Sequence, residues 1–431
     1  MASALRKSTP IRLGLLGCGT VGGSFVHLLA AQKEEIERRT GLSLTVTRIV
    51  VRDTAKDRGV DPTLLTDDAQ SVVVDPDIDV IVETMGGVEG THELVLAALA
   101  AGKPVVTANK ELLALHGPEL HAAAESAGVD LALEASVAAG LPFIRALRES
   151  LVGEGITKVM GIVNGTTNYI LSQMTDHGAG YQEALAEAQR LGYAEADPTA
   201  DVGGFDAGSK AAIIATLAFG QAVRAGDVYV EGIETITAED IANAAQQGYV
   251  IKLLAVVERN NDGSIVARVH PTMVPLTHPL ASVRDSFNAV YVEGDGIDQV
   301  MFYGRGAGGH PTAAMMVGDT IDAAQNLQAG VSRGLGELPS AKIRSINEVM
   351  SAFSVSLDAL DEPGVLAEIA GVFGSRNVSI RSMEQEGLGD EARLIFVTHK
   401  ALESDLRATL AALGELDAVK NIGQVLRVIG D

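Results

Sequence analysis

The first 140 residues alternate short apolar runs with longer segments whose apolar positions recur at helical spacing. The β-branched runs predict strands, and the amphipathic segments between them predict helices. Thr91 and Gly102 are expected to cap and to end one of these helices. The regular alternation indicates an α/β fold with a doubly wound, Rossmann-type parallel sheet over 1–140. The predicted strands cover 11–16, 44–51, 79–82, 104–107 and 129–134, and the predicted helices cover about 21–39, 92–101 and 111–127.

The pattern changes after about residue 140, where longer strands no longer alternate regularly with helices. We therefore expect a mixed α+β domain over 141–303. A glycine-rich run from Gly304 leads into a helix over about 304–328, which is expected to return to the first domain. In the mixed domain, strands are predicted at 157–163, 250–258, 265–269 and 289–293, and helices at 181–191 and about 206–222.

Residues 329–351 are polar and contain two glycines and a proline, which is typical of a linker. The last segment, 352–431, predicts the order strand, helix, strand, strand, helix, strand. This order is the ferredoxin-like arrangement, which makes the tail a small α/β domain of its own. Its elements are expected at 353–358, 364–374, 378–385, 392–399, 403–413 and 424–429.

The chain has 431 residues, 47% of them hydrophobic, which suffices for several domains with separate cores. Its net charge of −23 argues against nucleic acid or an anionic membrane as a partner, because basic surfaces bind those partners. Cys18 is the only cysteine, so the sequence offers neither an internal disulfide nor a cysteine metal cluster. Without a signal peptide or an apolar run long enough to span a bilayer, a cytoplasmic location is expected.

A glycine-rich loop follows the first predicted strand and opens the first helix. Gly17, Gly19 and Gly22 fit the dinucleotide-binding pattern G-x-G-x-x-G. The first permits a tight turn, the second lets the backbone approach a pyrophosphate, and the third lets helix and strand pack closely. The helix N-terminus then faces the phosphates. We therefore predict a bound NAD or NADP. Cys18 is interpreted as a small packing residue of this loop.

The residues after the second predicted strand decide between the two cofactors. An acidic residue there binds the ribose hydroxyls of NAD, whereas an arginine accommodates the 2′-phosphate of NADP. Arg52 and Lys56 favour NADP, while Asp53 leaves NAD open, and an ordinary charged loop is the alternative to both.

Residues 191–210 place four carboxylates, those of Glu195, Asp197, Asp201 and Asp206, ahead of Lys210 and an apolar helix. Such charges are costly to bury unless they are paired or used. Asp206 and Lys210 are four residues apart and share a helix face, with Lys210 expected in the first turn. A lysine balanced between burial and a carboxylate can exchange a proton during hydride transfer. An ion pair at a helix start explains the spacing equally well.

Lys110 follows another predicted strand of the first domain. The carboxyl ends of parallel strands line the crevice in which ligands bind. Lys110 is therefore a candidate for a second active-site lysine or a cofactor contact, with a surface lysine as the alternative.

Six segments together resemble homoserine dehydrogenases that carry a C-terminal ACT domain, and the resemblance covers nearly the whole chain. It implies the interconversion of L-homoserine and L-aspartate 4-semialdehyde with NAD(P)(H), in threonine and methionine biosynthesis. The chain lacks an aspartate-kinase region, which implies a monofunctional enzyme. The segments are GCGTVG at 17–22, TANK at 107–110, EASVAAGLP at 134–142, VMGIVNGTTNYIL at 159–171, LGYAEADPTADVGGFDAGSK at 191–210 and GRGAGG at 304–309.

The same resemblance assigns roles to individual residues. Lys210 matches the proton donor, Lys110 a second active-site lysine, and Asp206 a residue of both catalysis and substrate binding. Glu195 and Asp201 match further substrate-binding acids. A structural monovalent cation, sodium, is expected at Glu134, Val137, Ala139 and Leu141. The cofactor contacts that are implied or predicted are Gly17, Gly19, Thr20, Val21, Gly22, Arg52, Thr84, Lys110, Gly192 and Gly308.

The resemblance also implies regulation and assembly. ACT domains of this family bind an end-product amino acid, here threonine, across a paired-domain interface, with Gly364 and Asn377 as candidate contacts. A homodimer through the second domain, or a homotetramer with ACT pairing, is the family expectation.

Two other functions compete with this interpretation. An acylating aspartate-semialdehyde dehydrogenase needs a thiol nucleophile, and Cys18 lies in the phosphate loop. A non-catalytic sensor of nucleotide and amino acid would bind both ligands without turnover.

Overall fold

The computed structural model describes residues 9–387 and 389–430. The chain forms two compact units that interleave along the sequence. The expected domain divisions at 140, 303 and 351 stay predictions. The first unit comprises Met1–Val159, Ser209–Asp227 and Asn288–Ala341, and the second comprises Met160–Gly208, Val228–Phe287 and Lys342–Asp431.

The helices and strands in chain order are β1 (Thr9–Leu16), α1 (Thr20–Ala31), α2 (Lys33–Thr40), β2 (Leu42–Val50), β3 (Leu65–Thr66), α3 (Ala69–Val74), β4 (Val80–Glu83), α4 (Thr91–Ala100), β5 (Val105–Thr107), α5 (Lys110–Ala127), β6 (Leu131–Ala132), α6 (Phe143–Arg145), β7 (Ile156–Ile162), α7 (Gly165–His177), α8 (Tyr181–Arg190), α9 (Thr199–Val202) and α10 (Phe205–Phe219). They continue with β8 (Tyr229–Val230), α11 (Ala238–Gln246), β9 (Tyr249–Arg259), β10 (Ile265–Pro275), β11 (Phe287–Gly294), β12 (Asp298–Arg305), α12 (Gly309–Ala329), β13 (Met350–Leu360), α13 (Val365–Ser375), β14 (Ile380–Gly387), β15 (Glu391–Thr398), β16 (Ala401–Leu402), α14 (Glu403–Leu413) and β17 (Val419–Val428).

The first unit contains a six-stranded sheet in the order β3-β2-β1-β4-β5-β6, and its neighbouring strands are paired in parallel. The predicted Rossmann-type class is therefore confirmed. The strands are apolar because both faces are covered, and Leu13, Leu15, Val80 and Val82 are fully buried. Strands β2 and β3 lie on one side of β1, whereas β4, β5 and β6 lie on the other, so the topological switch point falls between β1 and β4. Ligands of such sheets bind at this switch point, beyond the carboxyl ends of the strands.

Helix α12 packs against α1 of the first unit. Its Ala313 and Met316 share a buried cluster with Phe25 of α1 and with Leu15 of β1. This helix begins directly after the glycine-rich run at 304–309, so its packing brings that run to the start of α1.

In the second unit, β9 and β10 form a long antiparallel ladder that runs from Ile265 opposite Arg259 to Pro275 opposite Tyr249. Strand β10 also pairs in parallel with β17, and the order continues β17-β13-β15-β14. The predicted ferredoxin-like order of the tail is confirmed. The core of this tail is formed mainly by Phe353, Phe373 and Phe396. The sheet of the tail therefore continues directly from the edge of the β9–β10 ladder.

Three sequence predictions of local structure were wrong. The single helix expected over 21–39 is divided at Gln32, whose ψ of 6° interrupts the helical geometry although its N–H still bonds to Leu28. Gly90, with a φ of 76°, occupies the cap of α4, and Thr91 is the first helical residue. The strand expected over 129–134 is only two residues long, because Glu134 already begins a 3₁₀ turn.

None of the described helices combines the length and the apolar character that a membrane-spanning helix needs.

Candidate active site

The glycine loop is packed so closely that two of its glycines cannot carry a side chain. Gly17 has a φ of 94°, and a Cβ on it would lie 3.0 Å from the carbonyl oxygen of Thr84. A Cβ on Gly22 would lie 2.4 Å from the carbonyl oxygen of Gly17. Gly19 is the N-cap of α1 and borders open space, as close approach by a pyrophosphate requires. The loop therefore fits a dinucleotide.

Thr84 holds the loop from the end of the neighbouring strand β4. Its N–H donates to Leu16 at 2.7 Å, and its hydroxyl donates to the carbonyl oxygen of Gly17 at 2.9 Å. Thr84 thus positions the turn that would receive the phosphates, in addition to any contact of its own with the cofactor.

The loop that follows β2 is hydrogen-bonded to the glycine loop. Arg52 is exposed, whereas Arg58 reaches the carbonyl oxygens of Cys18 at 3.4 Å and of Asp53 at 3.3 Å. Cys18 itself is buried, and burial raises the pKa of its thiol. A thiol held in its neutral form is a poor nucleophile, which argues against the acylating reaction.

Glu83 is a buried carboxylate at the end of β4 that the sequence reasoning missed. Its Oε1 accepts from the N–H groups of Met85 and Gly86 at 2.7 and 3.0 Å, and its Oε2 accepts from the Thr107 hydroxyl at 2.6 Å. Burial raises the pKa of Glu83, and these hydrogen bonds oppose that rise. The charged end of an otherwise apolar strand was the signal that could have found it.

The same network positions Lys110. The Thr107 hydroxyl accepts from the N–H of Asn109 at 3.0 Å, and the Asn109 amide donates to Gly87 at 2.6 Å. Asn109 also caps α5 by accepting from the N–H of Leu112 at 3.1 Å. Lys110 is the first residue of this helix and follows β5, at the carboxyl edge of the sheet.

The run at 304–309 lies beside the start of α1. A Cβ on Gly309 would come within 2.5 Å of Ser24 Oγ and 3.0 Å of the Thr20 carbonyl oxygen. Gly308, with a φ of 120°, is the N-cap of α12. The structure therefore places Gly309, the residue after Gly308, against Thr20 at the start of α1, where the glycine loop ends.

The four residues expected at a cation site lie in one segment of the first unit, and all of them except Ala139 are buried. The carboxylate of Glu134 accepts from the N–H groups of Ile144 and Arg145 at 2.8 and 2.7 Å, so it caps α6. Its N–H donates to Asp319 at 2.8 Å, and burial raises the pKa of Asp319 to about 7. Because the Glu134 carboxylate is engaged, a cation would depend on backbone carbonyl oxygens of 134–141, which suit hard cations. Ala138 in this segment has a φ of 47°.

Asp201 and Asp206 are brought together by Asn164, a residue that the sequence reasoning did not single out. The Asn164 amide nitrogen lies 2.7 Å from Asp201 Oδ1 and 2.8 Å from Asp206 Oδ2. Asn164 and Asp206 are buried, and Asp201 is half-buried. Asn164 lies 37 residues before Asp201 and 42 residues before Asp206, so no local sequence pattern predicts this cluster.

Glu195 and Gly192 lie in an exposed loop between α8 and α9. Thr166 holds this loop by donating to the Tyr193 carbonyl oxygen at 2.7 Å. Asp197 accepts from the hydroxyl and the N–H of Thr199 at 2.6 and 3.1 Å, which lowers its pKa. Asp197 therefore serves the turn into α9, while Glu195 stays at the surface.

Lys210 is buried in α10, one turn after Asp206. The helix begins at Phe205, so Lys210 lies in the second turn and the prediction of a first-turn position was wrong. The unfavourable effect of the helix dipole falls off within the first turn. Burial and neighbouring charges, rather than the helix terminus, therefore set the environment of this ammonium group.

Among the described residues, one group of His, Cys, Asp or Glu side chains has ligand atoms close enough to hold a metal ion, and it lies on α4 and α5. It consists of His92, His116 and Glu119. His92 and His116 contact the same Glu119 oxygen at 3.2 and 3.3 Å. Ordinary hydrogen bonds account for both distances.

Profiles of known families match the chain in three places. The NAD-binding domain of homoserine dehydrogenase matches 17–134, the homoserine dehydrogenase domain matches 142–321, and the ACT domain matches 353–418. The chain is also 50% identical to the homoserine dehydrogenase of Corynebacterium glutamicum over 427 residues, which cover 98% of this chain and 96% of that protein. The chain belongs to the homoserine dehydrogenase family.

Solved structures of homoserine dehydrogenases agree with this assignment. One from Thiobacillus denitrificans superposes with a TM-score of 0.94 at 41% identity, covering 98% of this chain and 99% of that one. A hyperthermophilic archaeal homoserine dehydrogenase in complex with NADPH superposes with a TM-score of 0.63 at 28% identity, covering 74% of this chain and 98% of that one. The chain is thus an oxidoreductase of the homoserine dehydrogenase family with a nucleotide-binding domain and a C-terminal ACT domain.

Proposed function

We propose that the chain reduces L-aspartate 4-semialdehyde to L-homoserine with NADPH, reversibly, in threonine and methionine biosynthesis. The observation that carries this proposal is the buried helix α10, where Asp206 and Lys210 lie one turn apart and Asn164 links Asp206 to Asp201. An acid pair suits the ammonium group of an amino-acid substrate, and a buried lysine suits proton transfer.

A bound NADPH supplies the hydride that adds to the aldehyde carbon. Lys210 then gives a proton to the oxygen that has gained the electron pair, which yields the alcohol. Asp201, Asp206 and Glu195 bind the substrate ammonium group. Lys110 contacts the cofactor or the substrate from the carboxyl edge of the parallel sheet.

The preference for NADP is proposed from charge. Arg52 follows β2 in an exposed loop, the position from which an arginine can reach a 2′-phosphate. Asp53 directs its carboxylate to the N–H of Ala55 at 2.9 Å, within its own turn. NAD is the alternative cofactor.

Sodium is the proposed monovalent cation, held by backbone oxygens of Glu134, Val137, Ala139 and Leu141. Its support is the unusual backbone of the segment at Ala138 and the engagement of the Glu134 carboxylate by protein N–H groups. The cation would fix a segment that also bonds to the run at 304–309, because Ala139 donates to Gly306 at 3.0 Å.

The ACT domain is proposed to bind threonine, with Gly364 and Asn377 as contacts, in a homodimer or homotetramer. Both residues have a positive φ, 98° and 60°, and both flank α13. Gly364 and Asn377 are both exposed, and the Asn377 carboxamide carries donors and an acceptor that suit an amino-acid ligand.

This function is tested by measuring the decrease in NADPH absorbance when L-aspartate 4-semialdehyde is added as the substrate. We expect turnover and the formation of L-homoserine. Tight binding of NADPH and threonine without turnover would instead establish a non-catalytic sensor and contradict the proposal.

A further inference from the structure

One neutral side chain holds two carboxylates of the second unit. The two N–H groups of the Asn164 amide donate to Asp201 Oδ1 at 2.7 Å and to Asp206 Oδ2 at 2.8 Å. Asp201 lies on α9 and Asp206 on α10, with a glycine turn at Gly203 and Gly204 between them. The two acids therefore come from separate helices, and Asn164 spans both.

The orientation of the Asn164 amide is fixed by the helix that it caps. Its Oδ1 accepts from the N–H of Thr167 at 2.8 Å and from the Thr167 hydroxyl at 2.9 Å. A flipped amide would direct its oxygen at two carboxylates and its nitrogen at a backbone donor. The helix N-terminus therefore requires the oxygen, and the nitrogen is left for the acids.

Two neighbouring carboxylates repel each other, and each favours protonation of the other. Hydrogen bonds from Asn164 stabilise the charged form of both acids and set the distance between them. A primary ammonium group has three N–H donors, with which it can bridge two acids. The separation of the two carboxylates thus determines how well a primary ammonium group fits.

We propose that Asn164 is a positioning residue, whose carboxamide sets the spacing and charge of the Asp201–Asp206 pair and thereby the affinity for the ammonium group of the amino-acid substrate. This inference rests on the proposed function. It assigns to Asn164 an effect on substrate recognition that is separate from its role as the N-cap of α7.

The chain offers a matched control on the same helix. Asn168 lies one turn after Asn164 and is 1% exposed. Its amide donates to the carbonyl oxygens of Asp285 at 2.8 Å and Phe287 at 3.2 Å, and its oxygen accepts from Lys252 at 3.0 Å. These bonds organise the unit and involve neither Asp201 nor Asp206, so Asn168 reports on stability alone.

The experiment compares Asn164→Ser with Asn168→Ser in the full-length enzyme, in the direction of homoserine oxidation. Serine keeps the N-cap of α7 but removes the donors to the acids. We expect the KM for L-homoserine to rise by about 10- to 100-fold, the range for a lost hydrogen bond to a charged group. The KM for NADP⁺ should stay within about twofold. Asn168→Ser should lower the melting temperature and leave both KM values unchanged.

The pH profile gives a second measurement. Loss of donors to a carboxylate raises its pKa, so the acid limb of log(kcat/KM) should move to higher pH in Asn164→Ser and stay in place in Asn168→Ser. Asn164→Asp preserves size and the helix cap, and it should also raise the KM for homoserine, because a carboxylate in place of the two N–H donors repels both acids and changes their spacing. It also serves if the serine variant does not fold.

A normal KM for homoserine in both Asn164 variants would overturn the inference. So would parallel increases in the KM of homoserine and NADP⁺, or an equal effect of Asn168→Ser, since each indicates a structural role only. A wild-type enzyme that does not oxidise homoserine would overturn the proposed function and this inference with it.

Discussion

Arg52 is the residue whose charge bears most directly on cofactor choice. It lies exposed just after β2, and Arg58 nearby already donates to Cys18 of the glycine loop. If Arg52 binds the 2′-phosphate, Arg52→Glu should lower the ratio of kcat/KM for NADPH to that for NADH by about 10- to 100-fold. Arg48→Glu makes the same charge change at another exposed position, on β2, and should leave the ratio unaltered. An unchanged ratio in Arg52→Glu would refute this reading of the arginine.

Single residues differ in how far the sequence can predict them. Gly17 and Gly22 follow from a local pattern, because the steric demand arises within one turn and its neighbouring strand. Asn164 could not be assigned in this way, since Asp201 and Asp206 lie 37 and 42 residues away along the chain. The resemblance assigned Glu195 to the substrate together with Asp201 and Asp206; the structure places Glu195 in an exposed loop, and its role stays a prediction.

At the scale of elements, strand β9 carries a lysine that is buried inside the second unit. Lys252 Nζ donates to Asn168 Oδ1 at 3.0 Å and to the Val283 carbonyl oxygen at 2.5 Å. Burial, together with the nearby charge of Arg284, lowers the pKa of Lys252 to about 7. A neutral amine has two N–H groups, which match these two acceptors.

This lysine should make stability rise with pH. In the unfolded chain its pKa is about 10.4, so between about pH 7 and 10 the unfolded state holds a proton that the folded state has lost. The free energy of unfolding therefore increases with pH over this window. Lys252→Met lacks this pH-dependent contribution to the free energy of unfolding. The melting temperature of the wild type minus that of the variant should therefore increase as pH rises from about 6 to about 9. A constant difference between the two proteins would contradict the depressed pKa.

Element types were predicted more reliably than their ends. Alternating apolar runs predicted the doubly wound class of the first sheet, because each strand must be covered on both faces. The division of the first long helix at Gln32 has no signal in residue type, and the early start of α10 moved Lys210 into the second turn. Both errors concern single turns, where packing overrides local preference.

At the scale of the whole molecule, the ACT domain and the β9–β10 ladder share one sheet through the β10–β17 pairing. Arg427 of β17 is buried and donates to Glu403 at 2.6 Å and to Glu231 at 2.8 Å. Burial would lower the pKa of Arg427, but its carboxylate partners raise it above the usual value. Deleting the domain would remove β17 from the edge of β10 and leave Glu231 without this cation. Point substitutions are therefore the better test of regulation.

Threonine regulation is tested at the turn after α13. Asn377 has a φ of 60°, so Asn377→Gly removes its carboxamide without straining the backbone. We expect millimolar threonine to inhibit the wild type, and we expect Asn377→Gly to keep its basal activity and lose the inhibition. Asn421→Ala alters an exposed side chain of the same domain and should remain inhibited. Insensitivity of the wild type to threonine would remove this part of the proposal.

Proton donation by Lys210 is tested most directly by two substitutions with different charges. Lys210→Ala removes the ammonium group, whereas Lys210→Arg keeps a positive charge that does not release its proton near neutral pH. If Lys210 is the donor, kcat for the reduction of aspartate semialdehyde should fall by about 10²- to 10⁴-fold in both variants, with NADPH affinity retained. If the lysine only forms an ion pair at the start of α10, Lys210→Arg should keep most of the wild-type kcat, and that result would contradict the account.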